Sequence, residues 1–141
     1  MNAPTLSAEA RKVILVVDDE PMVLQALSAI LAGAGYEVLG AANGDRALEL
    51  YGNRDERIDV VLSDLTMPGI DGSQLARCLC ERWPGMGVVF MSGYSAEMLS
   101  NCGMAAAAHF LQKPFTAVVL KAKLHELLQA RAPSVRRAGG F

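Results

Sequence analysis

Short apolar runs suited to buried strands alternate five times along this chain with segments of helical period. Val13-Ile14-Leu15-Val16-Val17 is continuously apolar, as a strand covered on both faces would be, and it stops abruptly at Asp18-Asp19-Glu20. Pro21 can occupy the first turn of a helix, and Val23, Leu27, Ile30, Leu31 and Ala34 then recur at helical spacing until Gly33 and Gly35. A strand over 37–41 leads to Asn43, a suitable N-cap for a helix through Ala47, Leu48 and Tyr51. The third run, 58–63, again meets an acid, Asp64, and Pro68, Gly69 and Asp71-Gly72 mark a loop before a helix through Leu75 and Leu79. That helix is expected to end at Pro84-Gly85. The fourth run, 88–91, leads into Ser92-Gly93, with a weaker helix expected over 96–102. A short fifth run, 108–111, reaches Lys113-Pro114; Thr116 can cap a last helix bearing Leu120, Leu124, Leu127 and Leu128 on one face.

Five strand–helix units in that order imply an α/β fold, a parallel sheet with helices on both faces. At 141 residues the chain suits one domain, expected over 12–131, with a leader at 1–11 and a flexible tail at 132–141. The charge of −2 gives no electrostatic reason to expect nucleic acid or a membrane surface as partner. No segment approaches the ~18 apolar residues of a membrane span, and residues 1–6 lack the pattern of a secretory signal. Cys78 and Cys80, two apart on a helix, point to different faces and make a poor metal pair; with Cys102 they are expected to be reduced, partly buried thiols in a cytoplasmic protein.

The ends of the strands carry the chemistry. Asp18, Asp19, Asp64, Ser92 and Lys113 each fall at or just past the C-terminal end of a strand, and in an open α/β sheet those ends share one edge, where ligands bind. Three carboxylates crowded there raise one another's pKa unless cations neutralise them, and a single lysine is insufficient. A divalent ion with oxygen ligands completes the balance, and Mg²⁺ suits a site of few carboxylates, a carbonyl and waters. Carboxylates, a hydroxyl, a lysine and Mg²⁺ together are equipment for phosphoryl transfer. A carboxylate can itself be the nucleophile, and Asp64, alone at the end of its strand opposite the acidic pair, is the best candidate.

With Asp18-Asp19, Asp64 within Asp64-Leu65-Thr66-Met67-Pro68-Gly69-Ile70-Asp71-Gly72, Ser92, and Lys113-Pro114-Phe115 in this order, the chain resembles the receiver domains of two-component response regulators, the CheY-like superfamily. The Met91-to-Ser95 and Phe110-to-Phe115 stretches are most similar to receivers of hybrid sensor histidine kinases. The resemblance implies a doubly wound, flavodoxin-like sheet of order 2-1-3-4-5 with five helices; that order is a general example of such folds and is carried over here. It further implies Asp64 as phosphoacceptor and Asp19 as direct Mg²⁺ ligand. Asp18 is then expected to act through metal-bound water, and the backbone carbonyl of Thr66 to be another ligand. Lys113 is expected to contact the phosphoryl oxygens. Ser92 and Phe110 are expected to move on activation and alter the surface of the fourth helix, fifth strand and fifth helix. The implied partner is a sensor histidine kinase or a histidine phosphotransfer protein, and a homodimer through that switching face is allowed. The chain could be a single-domain regulator or one domain of a hybrid kinase.

Three rivals are weaker. An aspartyl-nucleophile phosphatase of the haloacid dehalogenase type needs a second Asp two residues after the nucleophile, where Thr66 stands. A nucleotide- or flavin-binding domain needs a glycine-rich loop after the first strand, where Asp18-Asp19-Glu20-Pro21 stands. A receiver used only for docking would not need the full set of reactive side chains. His109 and His125 are each isolated from other reactive groups and are expected to be packing or surface residues.

Overall fold

A computed structural model describes residues 11–93 and 109–140, with side chains through Gln129. The apolar run of 13–17 forms β1 (Val13–Val17), buried at every position. Pro21 opens α1 (Pro21–Gly33), where its missing N–H is no loss. The chain then reverses at Gly35, whose φ of 101° is one that L side chains rarely adopt. β2 (Glu37–Ala41) follows, and α2 (Gly44–Tyr51) begins where the Asn43 side chain accepts the Arg46 N–H at 2.7 Å.

β3 (Val60–Asp64) starts later than the apolar run and ends on the acid itself. The shift has a local cause. The Asp59 N–H donates to the Val13 carbonyl at 2.9 Å, and its Oδ2 accepts the Val13 N–H at 2.8 Å, so Asp59 ties the entry of β3 to β1. α3 (Gly72–Arg82) opens on a capping box in which Asp71 and Gln74 exchange side-chain bonds with each other's N–H, both at 2.9 Å. β4 (Gly87–Ser92) and β5 (His109–Gln112) complete the sheet. The helix expected over 96–102, together with Tyr94 and Cys102, lies outside the described residues. The last helix, α4 (Ala117–Gly140), is capped by Thr116, whose Oγ1 accepts the Val119 N–H at 3.2 Å. Its backbone is helical through the stretch that Pro133 and Gly139-Gly140 suggest as a tail.

The five strands pair in parallel in the order β2-β1-β3-β4-β5. Alternation along the strands splits the core in two. Leu15, Val17, Val61 and Phe90 face α2 and α3, contributing to one cluster with Ala47, Leu75 and Leu79. Ile14, Val16, Leu62, Met91 and Leu111 face α1 and α4 and pack on Leu27, Leu31, Leu120, Leu124 and Leu127. Each such side chain, once buried, contributes about 1.5–3 kcal/mol, which makes a one-residue slip of register prohibitive. That locked register is what fixes the side chains at the strand ends.

Candidate functional site

Continuing the alternation past Val16, Leu62 and Leu111 brings Asp18, Asp64 and Lys113 to the same face of the sheet at its C-terminal edge. Asp18 is wholly buried. Its Oδ1 accepts the Glu20 N–H at 2.9 Å, which turns the chain into α1, and its Oδ2 accepts from Lys113 Nζ at 3.1 Å. The same ammonium donates to Asp64 Oδ2 at 3.3 Å. The Lys113 N–H donates to the Ser92 carbonyl at 2.7 Å, so the base of the lysine is fixed to the end of β4. Asp19 is exposed at the rim.

Oxygen atoms of Asp18, Asp19 and Asp64 lie within 4.8 Å of one another. Burial raises the Asp64 carboxyl above its ordinary value; the Lys113 charge opposes this, the Asp18 charge adds to it, and bonds from Lys113 and the Thr66 N–H lower it, leaving it raised. For Lys113, burial acts downward, but its bond to Asp18 and the charges of Asp18 and Asp64 outweigh burial and hold the ammonium above its usual range. Among the described residues Lys113 thus bonds two of the three acids, Asp18 and Asp64, and leaves the cluster short of positive charge. An oxygen-only donor set with excess negative charge, part buried and part open, fits a hard divalent ion such as Mg²⁺.

Sequence reasoning and structure agree in bringing together Asp18, Asp19, Asp64 and Lys113. Ser92 is buried at the end of β4, between the strands that carry Asp64 and Lys113. Thr66 is exposed, and its N–H bonds the Asp64 carboxylate. Phe110 is half-buried on the other face of the sheet, its ring 5.7 Å from that of Phe90 and tilted by 43°. An apolar cavity of about 390 Å³ adjoins the acidic cluster, lined by Met22, Ile30, Phe115 and Leu120 among others and shared at its edge with Glu20 and Lys113. Sequence reasoning missed two contacts on the Asp64 backbone, from Ser63 and Gly72. A serine in a strand carries no signal of which group its hydroxyl bonds, and the Gly72 contact depends on how closely α3 approaches β3.

A family model described as response regulator receiver domain matches residues 14–125. The chain is 35% identical over 117 residues to the sensor kinase CckA of Brucella abortus, covering 82% of this chain and 12% of that protein. It is 38% identical over 104 residues to the positive alginate biosynthesis regulatory protein of Pseudomonas aeruginosa, covering 72% of this chain and 41% of that one. Among solved structures it is similar to the response regulator protein TrrA of Thermotoga maritima in complex with Mg²⁺ and BeF, with 33% identity, a TM-score of 0.70, and coverage of 82% of this chain and 98% of that chain. The chain therefore spans less than half of either curated relative. Similarity to a hybrid-kinase receiver is accompanied by similarity to transcriptional regulators, so the likeness is to the receiver and not to one surrounding architecture.

Proposed function

The chain belongs to the response regulator receiver family, and on that premise we propose that Asp64 accepts a phosphoryl group from a sensor histidine kinase or a histidine phosphotransfer protein. A receiver is a signalling phosphoacceptor rather than an enzyme. The observation that carries the residue assignment is the ammonium of Lys113 held between Asp18 and Asp64 at the rim of an acidic cluster. In the transfer, an Asp64 carboxylate oxygen forms a bond to phosphorus as the donor's P–N or P–O bond breaks, and the bonding pair leaves on the donor atom. Asp19, Asp64 and the Thr66 carbonyl would hold Mg²⁺, with Asp18 acting through a bound water, and the ion would supply positive charge to the carboxylates and to the oxygens of the transferred group. Lys113, tethered through its own N–H, presents its ammonium to those same oxygens. The apolar cavity beside Lys113 offers the donor protein a surface next to the nucleophile.

Phosphorylation places new charge and acceptor oxygens at Asp64. The Ser92 hydroxyl turns to donate to them, and Phe110 moves toward the space this opens, altering the surface around β5 and α4. That surface is where we place the downstream partner or a second copy of the chain. Residues 12–131 are the receiver unit of this reading, and the cytoplasm is its compartment; among the described residues no helix is long and apolar enough to cross a membrane.

Labelled phosphate from a phosphohistidine protein or a small acyl phosphate should be incorporated only with Mg²⁺, and Asp64→Asn should abolish incorporation. Undiminished labelling of that variant removes Asp64 from its role. For the switch, amide hydrogen exchange with beryllofluoride should change protection around β5 and the first turns of α4. Changes confined to α1 and α2 would place the responsive surface elsewhere.

A further inference from the structure

The backbone that carries Asp64 is held from the face of the sheet opposite its carboxylate. Alternation turns Ser63 toward α2 and α3 while Asp64 turns toward α1 and α4. Ser63 is wholly buried, and its hydroxyl donates to the Asp64 carbonyl at 2.9 Å. A buried hydroxyl costs stability unless it is bonded, and this one spends its bond on the neighbouring residue's own peptide. Gly72, the first residue of α3, closes the other side. A Cβ there would stand 2.5 Å from the Asp64 carbonyl oxygen, 3.0 Å from Leu65 Cα and 3.2 Å from Ser63 Oγ. The Gly72 N–H donates to the Leu65 carbonyl at 2.9 Å. The peptide linking residues 64 and 65 is therefore held at both ends, its N–H donating to the Met91 carbonyl at 2.9 Å and its carbonyl accepting from the Ser63 hydroxyl, with the bare α-carbon of Gly72 against it.

We propose that Ser63 is a positioning residue for phosphoryl acceptance, its hydroxyl fixing the Asp64–Leu65 peptide against Gly72 and so the direction in which the Asp64 carboxylate points. The proposal rests on Asp64 being the phosphoacceptor. Ser63 touches neither donor nor phosphoryl group; it acts through the backbone. Rotation of that peptide would swing the carboxylate on one side and Thr66, two residues on, on the other. In-line attack on phosphorus depends steeply on the placement of the attacking oxygen, so loss of the hydroxyl is expected in the rate of transfer.

The test measures the rate of labelling by a small acyl phosphate at saturating Mg²⁺, well below the melting temperatures of all variants, beside those melting temperatures. Ser63→Ala is expected to label about fivefold more slowly, the equivalent of one net hydrogen bond. Ser63→Thr keeps the hydroxyl and is expected to restore the rate to within about twofold of the original chain, while Ser63→Val, of the same shape without the hydroxyl, stays slow. The rate thus follows the hydroxyl and not the melting temperature. The Thr and Val pair decides the matter even if Ser63→Ala does not fold. A rate that tracks melting temperature, or equal rates for Thr and Val, overturns the positioning role while leaving Asp64 in place. If the original chain takes no label, the phosphoacceptor reading falls and the role of Ser63 falls with it.

Discussion

Lys113 stands two strands from Asp64 and three from Asp18 in the sheet order. With strands about 4.8 Å apart, its Cα is about 10 Å from the strand of the nucleophile, a span suited to a long flexible stem with a charged end. The environment of Asp64 conflicts with its charge. Its carboxyl is raised by burial first and by Asp18 in addition, so the folded state binds its proton more tightly than the unfolded chain does. A group of this kind contributes stability below its unfolded pKa, and that stability is lost as pH rises through the higher folded value. In metal-free protein at neutral pH, Asp64→Asn should therefore raise the melting temperature, and the difference should shrink as pH falls toward the ordinary carboxylate range. Mg²⁺ should stabilise the original chain more than the variant, since it binds the native state through the carboxylate that the variant lacks. Thermal melts over pH, with and without Mg²⁺, check both. A pH-independent difference would mean that Asp64 ionises in the fold as freely as in the unfolded chain.

The ends of the elements are set by short-range chemistry, and these ends position the site. The Asp71–Gln74 box fixes where α3 begins, one residue before the glycine that lies against Asp64. Asp71→Ala removes the bond to the Gln74 N–H and should cost about 1 kcal/mol of stability. Gln74→Ala removes only the reciprocal bond and should cost less. Urea unfolding of the two variants gives the comparison, and an Asp71→Ala chain as stable as the original would show that the cap contributes nothing. Signals of this kind were legible in the sequence because they are local: Pro21 at a first turn, Asn43 and Thr116 at caps, Asp71 in the turn before a helix, Gly35 after a helix. The start of β3 was not legible, because Ile58 reads as part of the apolar run in sequence while Asp59, which interrupts it, bonds the distant Val13. The helical backbone of α4 past Arg131 was likewise not legible, since Pro133 and paired glycines read as helix breakers.

Across the whole molecule, one parallel sheet turns separations of 95 and 49 residues, from Lys113 to Asp18 and to Asp64, into bonds of 3.1 and 3.3 Å. Four of the reactive side chains were legible because charged residues interrupt apolar runs at strand ends, and a parallel sheet collects such ends on one edge. The contacts of Ser63 and Gly72 were hidden, because a strand serine does not show which group its hydroxyl bonds and the Gly72 contact arises from the approach of α3 to β3. The central claim is that this edge directs a phosphoryl group to one carboxylate among several close together. An acyl phosphate on aspartate is reduced by borohydride to homoserine, so the site can be read by mass spectrometry of peptides from chain labelled in the presence of Mg²⁺ and then reduced. The account predicts homoserine at position 64 and at neither Asp18 nor Asp19. Homoserine at either of those positions, or phosphate retained on His109 or His125, would contradict it.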